Sequence, residues 1–297
     1  MPTLLDFRRR IRSVKNTQQI TRAMKFVAAA RLRRAQESAL AARPYATELA
    51  RLLRSIMARI GEPDHPLLAK RPEERILTIV LSGERGLAGA FNTNILRRAN
   101  EFLRSRKDKK LSVLPIGKKG RDALKRAGFS FVAEYINVLS KVELGTAREI
   151  SGLVANLYAK EEIDAVYLVF SEFKTVMTAN LKLEKLLPVE PEAAHVHGDG
   201  ASDHKKGEPE SQVDYIYEQA PEKLLGILLP KYVEAQIHRA MLDSSASEYA
   251  ARMAAMESAT RNAGEVIQAL TLHMNKVRQA AITKEIIEIV SGASHGA

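Results

Sequence analysis

The stretch Leu242-Asp-Ser-Ser-Ala246-Ser-Glu-Tyr249-Ala-Ala-Arg-Met253-Ala-Ala-Met256-Glu-Ser-Ala-Thr260-Arg-Asn-Ala263-Gly-Glu-Val-Ile267-Gln-Ala-Leu270-Thr-Leu-His-Met274-Asn-Lys-Val277-Arg-Gln-Ala-Ala281 places an apolar or small residue at alternating steps of four and three. Thr260 is the one polar member. A mean spacing of 3.5 marks a left-handed coiled coil, because an ordinary surface helix drifts nearer 3.6. At 1.5 Å per residue this run spans roughly 60 Å. Such a rod needs a second rod to cover its stripe.

That second rod is at the other end of the chain. Ala28, Leu32, Ala35, Ala39, Ala42, Ala46, Leu49, Leu53, Ile56 and Ile60 follow the same alternation without a miss, up to the terminator Gly61-Glu-Pro63. Pro44 predicts a kink with the helix resuming. Pro221 suits the first turn of the C-terminal helix, and Pro230 predicts a kink or short break in it. A domain held between two such helices usually has its chain ends close together, so the helices should run antiparallel and zip along their stripes. If Ile60 lies level with about residue 222, the start of the chain lies near residue 281. Ile282, Ile286, Ile289 and Val290 then project unpaired and call for a sleeve of other chains.

Between the rods, Ile76-Leu-Thr-Ile-Val-Leu81, Leu111-Ser-Val-Leu-Pro-Ile116 and Ala165-Val-Tyr-Leu-Val-Phe170 read as strands buried on both faces. Helical stretches near 92–106, 118–127 and 145–160 alternate with them, which predicts a Rossmann-like, mostly parallel α/β domain. Residues 176–187 alternate and suit an edge strand. Residues 190–212 have no periodicity and read as a mobile surface loop. The expected organisation is an N-terminal coiled-coil helix over 1–62, an inserted α/β domain over 73–217, and a C-terminal coiled-coil helix over 218–297. The fold class is therefore α/β plus a discontinuous antiparallel coiled coil.

Apolar residues make up 45% of the 297, while aromatics are only 5% and Trp is absent, a balance that suits helices cored with Ala, Leu and Ile. With no cysteine, disulfides, thiolate nucleophiles and Cys-ligated metals are excluded. No run of some 18 apolar residues suggests a membrane span, and neither a signal peptide nor a transit peptide is expected at the start. The net charge is +11, and its location is informative: residues 1–60 hold 14 Lys/Arg against 3 Asp/Glu, whereas the remainder holds 32 of each. A partner of the first helix should be acidic: nucleic acid, an anionic membrane surface or an acidic protein face.

Motifs for catalysis are weak. Gly83, Gly86 and Gly89 follow a strand and precede a helix, but GxxGxxG is not the GxGxxG of a dinucleotide-binding turn, and a tight connection is the simpler reading. Gly117-Lys-Lys-Gly120 lacks the form needed to wrap phosphate. His195, His197 and His204 with Asp199 and Asp203 suggest an incidental loop cluster in preference to a metal site. No catalytic set converges, so no catalytic residue, cofactor or metal is expected. Arg8, Arg9, Arg10, Arg12, Lys15, Arg22, Lys25, Arg31, Arg33 and Arg34 could form a nucleic-acid face, but only Phe7 and Phe26 are near enough to stack. Two alternatives stay open on the residues alone: a basic coiled-coil nucleic-acid-binding protein, which would bind DNA with a steep salt dependence, and a dinucleotide-dependent enzyme needing Gly86 and Gly89.

The runs Ser247–Gly264, Asn275–Ala293 and Ile11–Met24, together with Ser82–Asn92, resemble the gamma subunit of the F-type rotary ATP synthase of bacteria. The resemblance covers essentially the whole chain except 190–212. It implies a central rotor shaft without an active site of its own, standing in a ring of three alpha and three beta subunits. It also implies contact with an epsilon subunit and with the membrane ring of proton-carrying c subunits, with no nucleic acid partner. The implied location is peripheral, on the cytoplasmic face of the bacterial plasma membrane. Motif by motif, Met24, Arg278, Gln279, Thr283 and Glu285 fall where the family meets the catalytic ring, and Tyr215, Tyr217 and Glu218 where it meets the proton ring. Glu84 and Ala88 stand where the family usually has Asp and Cys. The cysteine-bearing insert of chloroplast members is missing, so thiol control is not expected.

Overall fold

A computed structural model describes residues 3–60, 65–176, 178–190 and 221–294. The elements in chain order are α1 (Leu4–Ile60), a 3-10 turn (Pro66–Leu68), β1 (Arg75–Leu81), α2 (Phe91–Arg104), β2 (Lys110–Ile116) and α3 (Lys118–Arg126). They continue with β3 (Ser130–Phe131), α4 (Leu144–Ala159), β4 (Ala165–Phe173), β5 (Ala179–Leu187) and α5 (Pro221–Ser294). The chain divides into two compact units, Met1–Ala30 with Arg252–Ala297, and Arg31–Ala251.

In the larger unit the sheet order is β3-β2-β1-β4-β5. β1 pairs in parallel with β2 and β4, β2 with β3, and only β5 is antiparallel. The unbroken apolar run of β1 has a simple cause: successive side chains point to opposite faces, and both faces are covered. Leu77, Ile79 and Leu81 enter one core with Val154 and Tyr158 of α4, Leu53 and Ile56 of α1, and Leu229 and Val233 of α5. Ile76 and Val80 enter the other with Ile95, Ala99 and Leu103 of α2 and Leu124 of α3. β5, on the edge, has only partly buried side chains over most of its length, which is why its sequence alternates. The two-residue β3 is too short to leave a periodic trace and was not foreseen.

Every described member of the first stripe is buried or half-buried, from Ala28 at 2% exposure to Ile56 at 0%. Neither proline interrupts its helix, and the break considered at Pro230 is absent. Pro44 and Pro230 are both exposed, as are Leu40 and Gly226 four residues before them. The unmatched carbonyls thus lie toward solvent, where water can satisfy them, and both helices continue past their prolines.

In the smaller unit the two helices pair antiparallel. Phe7 stacks obliquely on His273 with ring centroids 5.0 Å apart, Thr21 Oγ1 lies 2.8 Å from Thr260 Oγ1, and Lys25 Nζ lies 2.7 Å from Glu257 Oε1. Partner numbers fall as α1 numbers rise, in a register that brings the start of α1 level with about residue 280. Beyond it Ile282, Ile286, Ile287 and Ile289 are 47%, 55%, 61% and 71% exposed.

Candidate functional site

The C-terminal ends of parallel strands, at the point where the strand order reverses, are where open α/β sheets ordinarily take a ligand. Here that point lies between β1 and β4. α5 occupies it. The backbone N–H of Ser171 donates to Ser244 Oγ at 3.3 Å, and Ser247 Oγ donates to the Ser171 carbonyl at 3.1 Å. Ser245 Oγ donates to the Leu139 carbonyl at 2.9 Å. A Cβ added to Gly83 would sit 3.0 Å from the Glu248 carboxyl carbon and 3.1 Å from Asn92 Oδ1, so a larger residue there would make both side chains give way. All ten residues from Met241 to Ala250 are buried.

Sequence reasoning missed this stretch. Asp243, Ser244, Ser245, Ser247 and Glu248 fall between stripe positions and look like a solvated face. They are buried because their neighbours are the polar backbone ends of strands, which need hydrogen-bonding partners when covered. The available signal was the choice of small serines there in place of long charged side chains.

The glycine-rich turn after β1 is closed upon itself. The Gly83 N–H donates to Asn92 Oδ1 at 2.8 Å, and the Lys118 N–H, at the start of α3, donates to Glu84 Oε2 at 3.1 Å. The Gly120 N–H donates to Ser82 Oγ at 2.7 Å. These three donors around the turn are engaged by the chain's own side chains, and α5 fills the crevice beside them. Leu87, at φ 63°, holds its side chain out from this turn at 64% exposure. Gly117, at φ 102°, stands against the Ser82 carbonyl with no room for a Cβ. The geometry speaks against a dinucleotide-binding turn.

A buried charge lies beside the occupied crevice. Asp243 is 2% exposed, and its Oδ1 accepts from Arg43 Nη2 at 3.3 Å, while the same nitrogen donates to the Phe173 carbonyl at 2.8 Å. Burial pushes the Asp243 carboxyl up to about 6, against the opposing pull of Arg43 and Arg239. One turn earlier, Arg239 Nη2 donates to Glu184 Oε2 on β5 at 2.9 Å.

Of the residues singled out for a catalytic ring, Arg278, Gln279, Thr283 and Glu285 are exposed on α5, and Met24 is half-buried on α1. The Thr283 hydroxyl donates back to the Gln279 carbonyl at 2.9 Å, which keeps it within its own helix. Around Met24, Ile20 and Phe26 are 60% and 62% exposed among Arg22 and Lys25. Tyr215, Tyr217 and Glu218, the histidines of the loop, and 191–212 as a whole lie outside the described residues. Among the described residues there is no cluster of acidic or histidine side chains that could hold a metal, and no helix long and apolar enough to cross a membrane.

Comparison with known proteins agrees with this geometry. The ATP synthase family pattern matches residues 3–295. The ATP synthase gamma chain of Solibacter usitatus is 49% identical over 99% of both chains, and that of Pelotomaculum thermopropionicum is 44% identical with the same coverage. Among solved structures, the fold is shared with a chain of the Tetrahymena thermophila mitochondrial ATP synthase central stalk, which is 24% identical with a TM-score of 0.59 over 81% of this chain and 99% of that one. A chain of the Euglena gracilis mitochondrial ATP synthase rotor is 19% identical, with a TM-score of 0.61 over 94% and 98%. A long antiparallel helix pair, an α/β sheet whose ligand crevice is filled by one of those helices, and full-length identity near one half lead to one assignment: the chain belongs to the ATP synthase gamma chain family.

Proposed function

We propose that this chain is the central rotor shaft of a proton-translocating ATP synthase, part of a peripheral membrane complex. The observation that carries the reading is the antiparallel helix pair locked in register at Thr21–Thr260 and Lys25–Glu257, with an uncovered apolar tip beyond it. A helix pair of this kind is stiff along its axis, and its tip needs an enclosing partner. Chemistry belongs to the neighbours: three alpha and three beta subunits form the enclosing ring, while epsilon and the c ring meet the α/β unit. Rotation of the proton ring turns the α/β sheet, the helices carry that rotation, and an asymmetric shaft forces three catalytic sites through their conformations in turn.

Within this reading Arg278, Gln279, Thr283 and Glu285 face the catalytic ring from the exposed surface of α5, and Met24 faces it from α1. Tyr215, Tyr217 and Glu218 are assigned to the proton ring, and the complex is assigned to the cytoplasmic face of a bacterial plasma membrane. The positive charge of α1 suits an acidic collar. One exposed ion pair contributes only about 0–1 kcal/mol, so charge guides the shaft while shape and stiffness transmit torque.

Co-purification tests the reading. A tagged copy should bring down alpha and beta subunits at three copies each per copy of this chain. Recovery of the chain with nucleic acid and without those subunits would contradict it.

A further inference from the structure

Rotation applied to a sheet reaches a helix pair only through contacts that resist shear. Apolar contacts are non-directional: a seam of Ala39, Ala46 and Ala50 opposes separation but opposes sliding or twisting weakly. Hydrogen bonds have a preferred length and angle, so they resist displacement sideways. The place to look is therefore where polar bonds join sheet and helices at once.

We infer that Arg43 and Asp243 are the positioning residues that couple the sheet to the helix pair, because Arg43 Nη2 on α1 bonds both the Phe173 carbonyl at the end of β4, at 2.8 Å, and Asp243 Oδ1 on α5, at 3.3 Å. One guanidinium joins three elements. The serine bonds of Ser244 and Ser247 to Ser171 lie alongside on the same strand and helix, so α5 is held to β4 at several points within one helical turn.

Stability alone does not account for the pair. A buried carboxylate costs desolvation free energy, and well-packed apolar residues commonly replace a buried ion pair without loss. Burial raising the Asp243 carboxyl to about 6 means that its charged form opposes folding. The charged groups facing it are Arg43 from α1, Arg239 from α5 itself and Glu172 from β4, with Lys182 and Glu184 of β5 paired to Glu172 and Arg239. A charge kept where it costs stability serves mechanical coupling.

This inference rests on the rotor reading, and the test separates the two. In the assembled complex with its catalytic ring fixed, a bead is attached to the α/β unit through a single introduced cysteine, which is unique because the chain has none. Angular fluctuation during a pause gives torsional stiffness. Asp243→Asn, nearly the same shape, should lower stiffness about twofold while raising the Tm of the isolated chain at pH 8. Arg43→Ala should lower stiffness similarly, with partial recovery in Arg43→Lys. The unsubstituted complex should soften between pH 7.5 and pH 5.5 as Asp243 takes up a proton, and Asp243→Asn should show no such softening. Unchanged stiffness in Asp243→Asn, or a fall in its Tm at pH 8, overturns the inference. If Arg43→Ala does not assemble, Asp243→Asn decides alone. A bead that never rotates on the unsubstituted complex sinks the rotor reading instead.

Discussion

Thr21 and Thr260 meet hydroxyl to hydroxyl at 2.8 Å across the seam of the smaller unit, at the one polar position of the C-terminal stripe. Gln18 Nε2 donates to the Thr260 carbonyl at 3.3 Å beside them. Each hydroxyl also has an acceptor in its own helix, the Gln18 carbonyl 3.0 Å from Thr21 Oγ1 and the Met256 carbonyl 2.7 Å from Thr260 Oγ1, so a single proton bridges the seam and the layer favours one register over others. Shifting α5 by a turn would lose the bond across the seam while leaving each hydroxyl its own carbonyl. The layer therefore favours one set of residues at the tip.

A double-mutant cycle on this pair should show coupling. Thr21→Val and Thr260→Val should each cost about 1 kcal/mol, since each leaves one hydroxyl facing a methyl group. Together they should cost less than their sum, by about 0.5–1 kcal/mol, in urea unfolding of the isolated chain. Strict additivity would show that the hydroxyls do not interact.

Arg75 and Asp164 give an acid-dependent prediction. Asp164 accepts from Arg75 Nη2 at 2.6 Å, from Arg75 Nε at 3.0 Å and from the Arg75 N–H at 2.8 Å, and the Arg75 side chain holds its carboxyl below the usual range. A depressed carboxyl contributes stability that is present above the unfolded value near 3.8 and is lost as pH falls through the folded one. Asp164→Ala removes a carboxylate that accepts three bonds and should lower stability at pH 7, by less than the loss of a fully buried pair because the Arg75 side chain, 41% exposed, stays solvated. Thermal melts from pH 7 down to pH 3 should bring the variant and the parent closer together. A constant gap would contradict the assignment.

Asp243 should behave with the opposite sign. Its folded value near 6 lies above the unfolded 3.8, so neutral Asp243 is favoured in the fold and its contribution is lost as pH rises through 6. Asp243→Asn should stabilise the isolated chain by about 2–3 kcal/mol at pH 8, with the gain vanishing below about pH 4. Chemical unfolding at those two pH values reads it directly.

Much of this molecule is legible in the sequence. The 4-3 alternation located both helices because the seam repeats over many turns, and β1 was legible because both of its faces are buried. The register was fixed by length alone, and Phe7 against His273 agrees with it. Three features were illegible for physical reasons. β3 is two residues long and has no period. Pro230 sits on the open side of its helix, where water can take the place of a lost hydrogen bond, so the short break is absent. The polar run Asp243–Glu248 looks solvated because its partners, the ends of β4 and the turn after β1, are distant in sequence. At the candidate contacts with other chains, exposure on α5 agrees with a surface role for Arg278 and Gln279, but no spacing rule marks them. Their assignment came from resemblance.

A core substitution gives a reference for scale. Leu53, 2% exposed between α1 and the sheet, should cost about 2–5 kcal/mol on replacement by Ala. Ile286 and Ile289, 55% and 71% exposed, should change isolated-chain stability by less than about 0.5 kcal/mol when both become Ser. The same pair of changes should reduce assembly with the catalytic ring, read as complex recovered by size exclusion. Normal recovery would remove the need for an enclosing sleeve.

The central claim is that this chain turns inside a stationary ring. With the ring immobilised and a bead on the α/β unit, added ATP should drive rotation in one direction with three pauses per turn. Steady ATP hydrolysis beneath a bead that stays still would contradict it.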